Sequence, residues 1–176
     1  MANTFVKIST VTVGSGGAAT IAFTSIPQTY TDLKIVLSTR STSGAAVARV
    51  IRMKINNLTT SIYSHRALEA DGSTVYSFTE TGTDSAVRIG LTNASSATAS
   101  TFSSGEIYIA NYTSANSKSV SVDFATENDA TTAYLECLGY LVATSAAITD
   151  LTITPEALAG NFAQYSTATL YGIKSS

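Results

Sequence analysis

The stretch Asn161-Phe162-Ala163-Gln164-Tyr165-Ser166-Thr167-Ala168-Thr169-Leu170-Tyr171-Gly172-Ile173 decides the fold. From Ser166 onward, Ser166, Ala168, Leu170 and Gly172 alternate with Thr167, Thr169, Tyr171 and Ile173. Successive side chains therefore divide between a small-residue face and a larger one, the period of a strand. A loop enters this strand, and a chain that ends in a strand has to complete a sheet with it.

The composition agrees. Of 176 residues only 12% are charged, about half the usual share, while Ser and Thr together make roughly 30% of the chain. Thr favours strands and Ser favours turns, whereas the helix formers Glu, Lys, Gln and Leu are scarce. The polar surface is thus hydroxyl in character. A net charge of −2 and a pI near 5.3 offer no field for a polyanion, so nucleic acid is not an expected partner. Cys137 is the single cysteine, which excludes an intramolecular disulfide and points to a reducing compartment. No basic segment followed by an apolar core opens the chain, and no run approaches the length of a membrane span, so neither a cleaved export signal nor a membrane is expected.

Working back to the N-terminus, Phe5, Ile8, Val11 and Val13 fall in a first strand from about Thr4 to Val13. Gly14-Ser15-Gly16-Gly17 follows. A phosphate-binding loop needs a helix behind it, and Thr20-Ile21-Ala22-Phe23-Thr24 alternates as a strand, so the glycines predict a hairpin turn. After the corner at Pro27, Leu33, Ile35 and Leu37 share one face with Thr39, the pattern of a half-buried strand. Ile51, Met53 and Ile55 lie opposite Val50, Arg52 and Lys54 on the next strand, which Asn56-Asn57 ends. Arg52 and Lys54 are candidate contacts for an acidic partner surface, although a solvated strand face accounts for the same pattern.

Two hairpins are expected in mid-chain. Asp71-Gly72 reads as a two-residue turn between strands at Ile62–Ala70 and Ser73–Thr79, the first carrying His65, the only histidine. With no second histidine, no other cysteine and no defined nucleophile, His65 reads as an ordinary strand residue. Glu106–Asn111 and Lys118–Ala125 form the other hairpin. Between them the low-complexity run from Gly82 to Ser104 holds a short strand at Val87, Ile89 and Leu91 and then a long loop, read as a contact surface or as disorder. The acids Asp123, Glu127 and Asp129 fit no calcium-loop spacing.

From Ala133 to Val142 both faces are largely apolar, so a central strand with Cys137 as a small buried hydrophobe is expected. Ile148, Leu151 and Ile153 give one more strand before Pro155, and Glu156–Gly160 is long enough for a single helical turn. Roughly ten strands, turn signals between them and no helical period predict an all-β fold: an antiparallel β-sandwich, jelly-roll-like, with a barrel as the alternative. Residues 1–176 form one domain in this reading, and no catalytic residue, cofactor site or metal site is predicted, the carboxylates being scattered over different strands. Thr-rich edges with few lysines predict that neighbouring subunits cover them.

Four stretches carry a resemblance: Ile26-Pro27-Gln28-Thr29-Tyr30-Thr31-Asp32-Leu33, Glu106-Ile107-Tyr108-Ile109-Ala110-Asn111-Tyr112-Thr113, Thr126-Glu127-Asn128-Asp129-Ala130-Thr131-Thr132-Ala133-Tyr134, and Gly160-Asn161-Phe162 through Gly172-Ile173. They resemble a family of β-rich virion structural proteins and fibre domains of tailed bacteriophages, over Ile26 to Ile173. The resemblance implies a non-enzymatic subunit, located in the virion and assembled in the host cytoplasm. It fits both head-decorating proteins and distal parts of tail fibres. The sequence shows no fibre shaft or heptad stem, which favours a capsid decoration, cement or head-fibre subunit that contacts the major capsid protein or other virion proteins. The alternative is a tail-fibre or receptor-binding tip that recognises a host surface glycan. A homo-oligomer, expected as a trimer, follows from the same resemblance, with residues 1–13 a candidate subunit-exchange strand. Phe5, Val6 and Ile8 on that strand join Arg52 and Lys54 as the candidate interaction residues.

Overall fold

The computed structural model describes residues 4–44, 46–60, 62–81, 86–128, 131–156 and 160–174. Among them are twelve strands: β1 Phe5–Thr12, β2 Ile21–Phe23, β3 Asp32–Thr39, β4 Ala48–Ile55, β5 Tyr63–Asp71, β6 Thr74–Thr81, β7 Val87–Asn93, β8 Ser103–Ile109, β9 Lys118–Asn128, β10 Thr132–Val142, β11 Leu151–Pro155 and β12 Thr167–Ile173. They form an antiparallel β-sandwich of unequal sheets, one of eight strands in the order β1-β12-β3-β8-β9-β10-β5-β6, the other of four in the order β2-β11-β4-β7. The strands read at Thr20–Thr24 and at Val87, Ile89 and Leu91 are present as the short β2 and the seven-residue β7.

Alternation places the core between the sheets. Leu33, Ile35 and Leu37 of β3 and Ile107 and Ile109 of β8 meet Ile51, Met53 and Ile55 of β4 and Leu151 and Ile153 of β11, all fully or nearly fully buried. Each such aliphatic side chain contributes about 1.5–3 kcal/mol by leaving water. The closing strand is not an edge. Its small-residue face turns inward, with Ala168 and Leu170 at 0% exposure, and β12 lies between β1 and β3, paired with Thr12–Phe5 on one side and Ser38–Asp32 on the other.

The glycine cluster at 14–17 does turn the chain, Gly17 N donating to Gly14 O at 3.0 Å. The strands it joins do not form a hairpin, however: β1 belongs to the larger sheet and β2 to the smaller, so the turn crosses between layers. Local sequence reports a reversal of direction and is silent on which sheet receives the next strand. The β5–β6 hairpin is shifted by one residue from the reading of the sequence. Asp71 pairs with Thr74, so Gly72-Ser73 is the loop, and Gly72 at φ +63 supplies the left-handed first position that this turn requires. Asn56 and Asn57, at φ +50 and +51, make the turn after β4 as their side chains allow. The helical turn read at Glu156–Gly160 falls on residues 157–159 and the acid Asp129 on residues 129–130, both outside the described residues.

Segments between strands are held by buried charge. Lys118, 1% exposed, donates its ammonium to the carbonyls of Ser114, Thr144 and Ala146 at 2.7, 3.0 and 2.7 Å, and burial lowers its pKa. Arg40 does the same for the loop after β7, its guanidinium donating to the carbonyls of Thr98, Thr101 and Ala97 at 2.8, 2.9 and 3.0 Å. Glu127 accepts from Thr98 N at 2.8 Å. That loop is therefore ordered, against the reading of disorder.

Candidate interaction surface

The register of the larger sheet sets its outer side chains in cross-strand rows. Val75, Ala70, Leu135 and Ala125 form one row over β6, β5, β10 and β9. Ser77, Leu68, Cys137, Asp123 and Glu106 form the next, reaching β8. Val75 is 71% exposed, Leu68 55%, Leu135 53% and Leu141 47%. β10 is interior to its sheet, as expected, yet only one of its two apolar faces is covered. Leu138, Tyr140 and Val142 enter the core, while Leu135, Cys137 and Leu141 stand in solvent. The expectation of a buried Cys137 is thus corrected: alternation reveals two apolar faces and cannot reveal whether a second layer lies on both. A hydrogen bond to Asp123, then partial burial, raises the Cys137 thiol pKa.

Small residues between these hydrophobes make the surface concave. A hollow of about 370 Å³ lies among Arg66, Leu68, Ser77, Thr79 and Cys137, beside Gly139, which presents no side chain. A second, of about 250 Å³, lies among Ser104, Glu106, Asp123, Ala125 and Leu135. Leu135 and Leu68 are ridges beside these hollows. Val75, Leu68, Leu135 and Leu141 thus stand exposed on one face of the larger sheet, over β6, β5 and β10.

The residues singled out from the sequence do not gather on this surface. Phe5, 53% exposed, lies with Val6 and Ile8 on β1, at the opposite edge of the larger sheet, and Ile8 packs against the core. β1 pairs along its length with β12 of the same chain. Arg52 and Lys54 lie on β4 in the other sheet. The Arg52 guanidinium donates to Glu156 at 3.0 Å and to the Ala86 carbonyl, so its charge is committed within the fold.

The charged residues that the sequence did not single out meet at the overhang of the sandwich. The smaller sheet ends at β7, which packs on β8, β9 and β10, and β5 and β6 project past it. Arg88 of β7 reaches over this step to Glu69 of β5 and Glu136 of β10, its guanidinium 4.8 Å from the Phe78 ring. Glu136 is 1% exposed, and burial pushes its carboxyl up to about 7 against the opposing pull of Arg88. His65, 2% exposed, packs as an aromatic core residue, its ring centroid 5.9 Å from Phe78 and 5.3 Å from Tyr140. No group of three or more His, Cys, Asp or Glu side chains able to hold a metal ion occurs among the described residues.

Three of the four stretches that carry the resemblance pack together. Asp32 accepts from the Tyr108 hydroxyl at 2.5 Å and from Asn111 N at 2.7 Å, Tyr112 donates to the Pro27 carbonyl, and Thr31 N donates to Ile173 O at 2.8 Å. A Cβ at Gly172 would sit 2.3 Å from the Tyr30 ring, so glycine there lets the ring lie on the last strand. These residues hold the sandwich together at one end of β3, β8 and β12.

No protein-family model matches the chain, and no curated protein matches it. A search of solved structures finds the CBM2 module of the evolved Dit of Lactobacillus casei BL23 phage J-1, which aligns over 89% of this chain and 69% of its own at 7% sequence identity and a TM-score of 0.30. A likeness this distant carries no functional argument.

Proposed function

We propose that the chain is a non-enzymatic structural subunit on the exterior of a tailed-bacteriophage virion, a capsid decoration, cement or head-fibre protein whose partner is the major capsid protein. One observation carries this reading: Leu68, Val75, Leu135 and Leu141 are exposed together on a sheet whose other face closes a complete core. No described residue covers that surface, and a subunit of a larger assembly has a use for it. The resemblance of Ile26–Leu33, Glu106–Thr113, Thr126–Tyr134 and Gly160–Ile173 supplies the setting. The hydroxyl-rich, weakly charged exterior suits packing against a protein lattice more than steering toward a polyanion.

A second reading, a receptor-binding tip that recognises host glycan, is favoured by Tyr108. Its ring is 38% exposed on the outer face, beside the Lys34–Glu106 pair, whose charged atoms are 2.7 Å apart. An aromatic face flanked by hydrogen-bonding groups suits a sugar ring. Antibody-gold labelling of intact virions distinguishes the two. Label distributed over the head supports the decoration reading; label confined to the distal tail overturns it in favour of the tip.

A further inference from the structure

Four strand edges bound the two sheets, and three are guarded. β2 is three residues long. β7 pairs with β4 through a register shift at Ile51/Arg52 and contains Gly90 at φ +141. β1 carries Lys7 and a register shift between Lys7 and Ser9. Short length, irregularity and lysine are the devices by which natural sheets discourage edge pairing. β6 has none of them. It spans eight residues, pairs regularly with β5 from Thr74 to Thr81, and carries no charged residue, proline or glycine from Thr74 to Thr79.

We infer that β6 pairs antiparallel with β6 of a second copy of this chain, joining two eight-stranded sheets edge to edge about a two-fold axis at Ser77. Because Asp71 and Thr74 close the β5–β6 hairpin, Thr74, Tyr76 and Phe78 bond inward to β5 while Val75, Ser77 and Thr79 direct their backbone groups outward. In the register centred on Ser77 those outward residues meet one another, Ser77 with the partner's Ser77 and Val75 with the partner's Thr79. On the inner face, Tyr76 meets the partner's Phe78 twice, an aromatic cross-strand pair. Position 80 falls opposite position 74, so no acid faces an acid. A second copy fits because the strand carries no charge from Thr74 to Thr79 and its one acid, Glu80, meets the partner's position 74 in this register, and antiparallel pairing of identical edges gives a closed two-fold assembly. The two outer-face patches, each beginning at Val75 on β6, then become one surface. The smallest assembly is a dimer, not the trimer expected from the resemblance.

Sedimentation equilibrium of the full chain over a range of concentrations tests this. The expected result is a monomer–dimer equilibrium ending at twice 18.3 kDa, abolished by Ser77→Pro, which removes an outward donor, and by Val75→Lys, which guards the edge. Both variants retain the wild-type circular dichroism spectrum. Ser9→Lys on β1 leaves the dimer intact. Amide hydrogen exchange adds a reading independent of the variants: protection at Val75, Ser77 and Thr79 rises with protein concentration. A single monomer mass at every concentration, an assembly other than a dimer, or a dimer that survives both β6 variants overturns the inference.

Discussion

The Phe124 ring occupies the volume that a side chain would take at Gly105: a Cβ built there would lie 2.1 Å from Cε2 of the ring. Gly90 of β7 approaches the same ring from the opposite sheet, where a Cβ would lie 2.5 Å from Cγ. Two glycines, one from each layer, therefore make the slot in which the largest side chain of β9 joins the sheets. Gly105→Ala forces the ring or the backbone to move and should lower the unfolding free energy by about 1–3 kcal/mol, read from the denaturant midpoint at unchanged slope. Wild-type stability in that variant would show that the slot is loose.

The carboxyl of Glu136, pushed up from 4.5 to about 7 by burial, gives stability a sign that most acids do not. Between those two pH values the folded chain holds a proton that the unfolded chain has released. The unfolded state thus binds fewer protons, and stability falls as pH rises from about 4.5 to about 7 before levelling off. Glu136→Gln stays neutral and should flatten this limb of a melting-temperature profile. An unchanged slope in the glutamine variant would remove Glu136 as its source.

Among the described residues Arg88 is the cation placed against both the buried Glu136 and the half-buried Glu69. Arg88→Met keeps much of the length over Phe78 and removes the charge. It should cost about 3–5 kcal/mol at pH 8, where Glu136 is ionised, and less at pH 5, where Glu136 is protonated. Equal losses at the two pH values would contradict the pairing.

The fork of Arg40 binds the carbonyls of Ala97, Thr98 and Thr101, a geometry that a lysine ammonium cannot reproduce. Arg40→Lys should release the loop while sparing the core: amide exchange across 95–101 accelerates by about tenfold or more, consistent with losing one or more charge-assisted hydrogen bonds of about 1.5–3 kcal/mol each. Protection lost equally on β3 would show that Arg40 holds the whole fold.

What the sequence disclosed follows from the range of its signals. The period-two pattern of Leu33, Ile35 and Leu37, or of Ala168 and Leu170, is local, and it located the strands and their buried faces. The roles of Arg40, Arg88 and Lys118 are not legible in the sequence, because each acts on groups far away in it: Arg40 on a loop 57 to 61 residues on, Arg88 on Glu136 48 residues on, and Lys118 on Ala146 28 residues on. Isolated in the sequence, each looks like a surface charge. Arg52 and Lys54 drew notice because they are neighbours on one strand face, yet the partner of Arg52 is Glu156, 104 residues away. The outer patch stayed hidden for a related reason. Leu135 and Leu141 are spaced as core residues are, and only the order of the strands shows that nothing in the described chain covers them.

The most direct measurement of the central claim is co-sedimentation of the purified chain with phage heads depleted of it, comparing wild type with the double variant Leu68→Asp and Leu135→Asp. Both positions are exposed, so the variant should keep the wild-type melting temperature to within a few degrees. Saturable binding by wild type is expected, with a loss of at least about tenfold in the variant, the effect of forfeiting roughly 1.4 kcal/mol or more of apolar burial. Failure of the wild-type chain to bind depleted heads, or equal binding by the folded double variant, would contradict that claim.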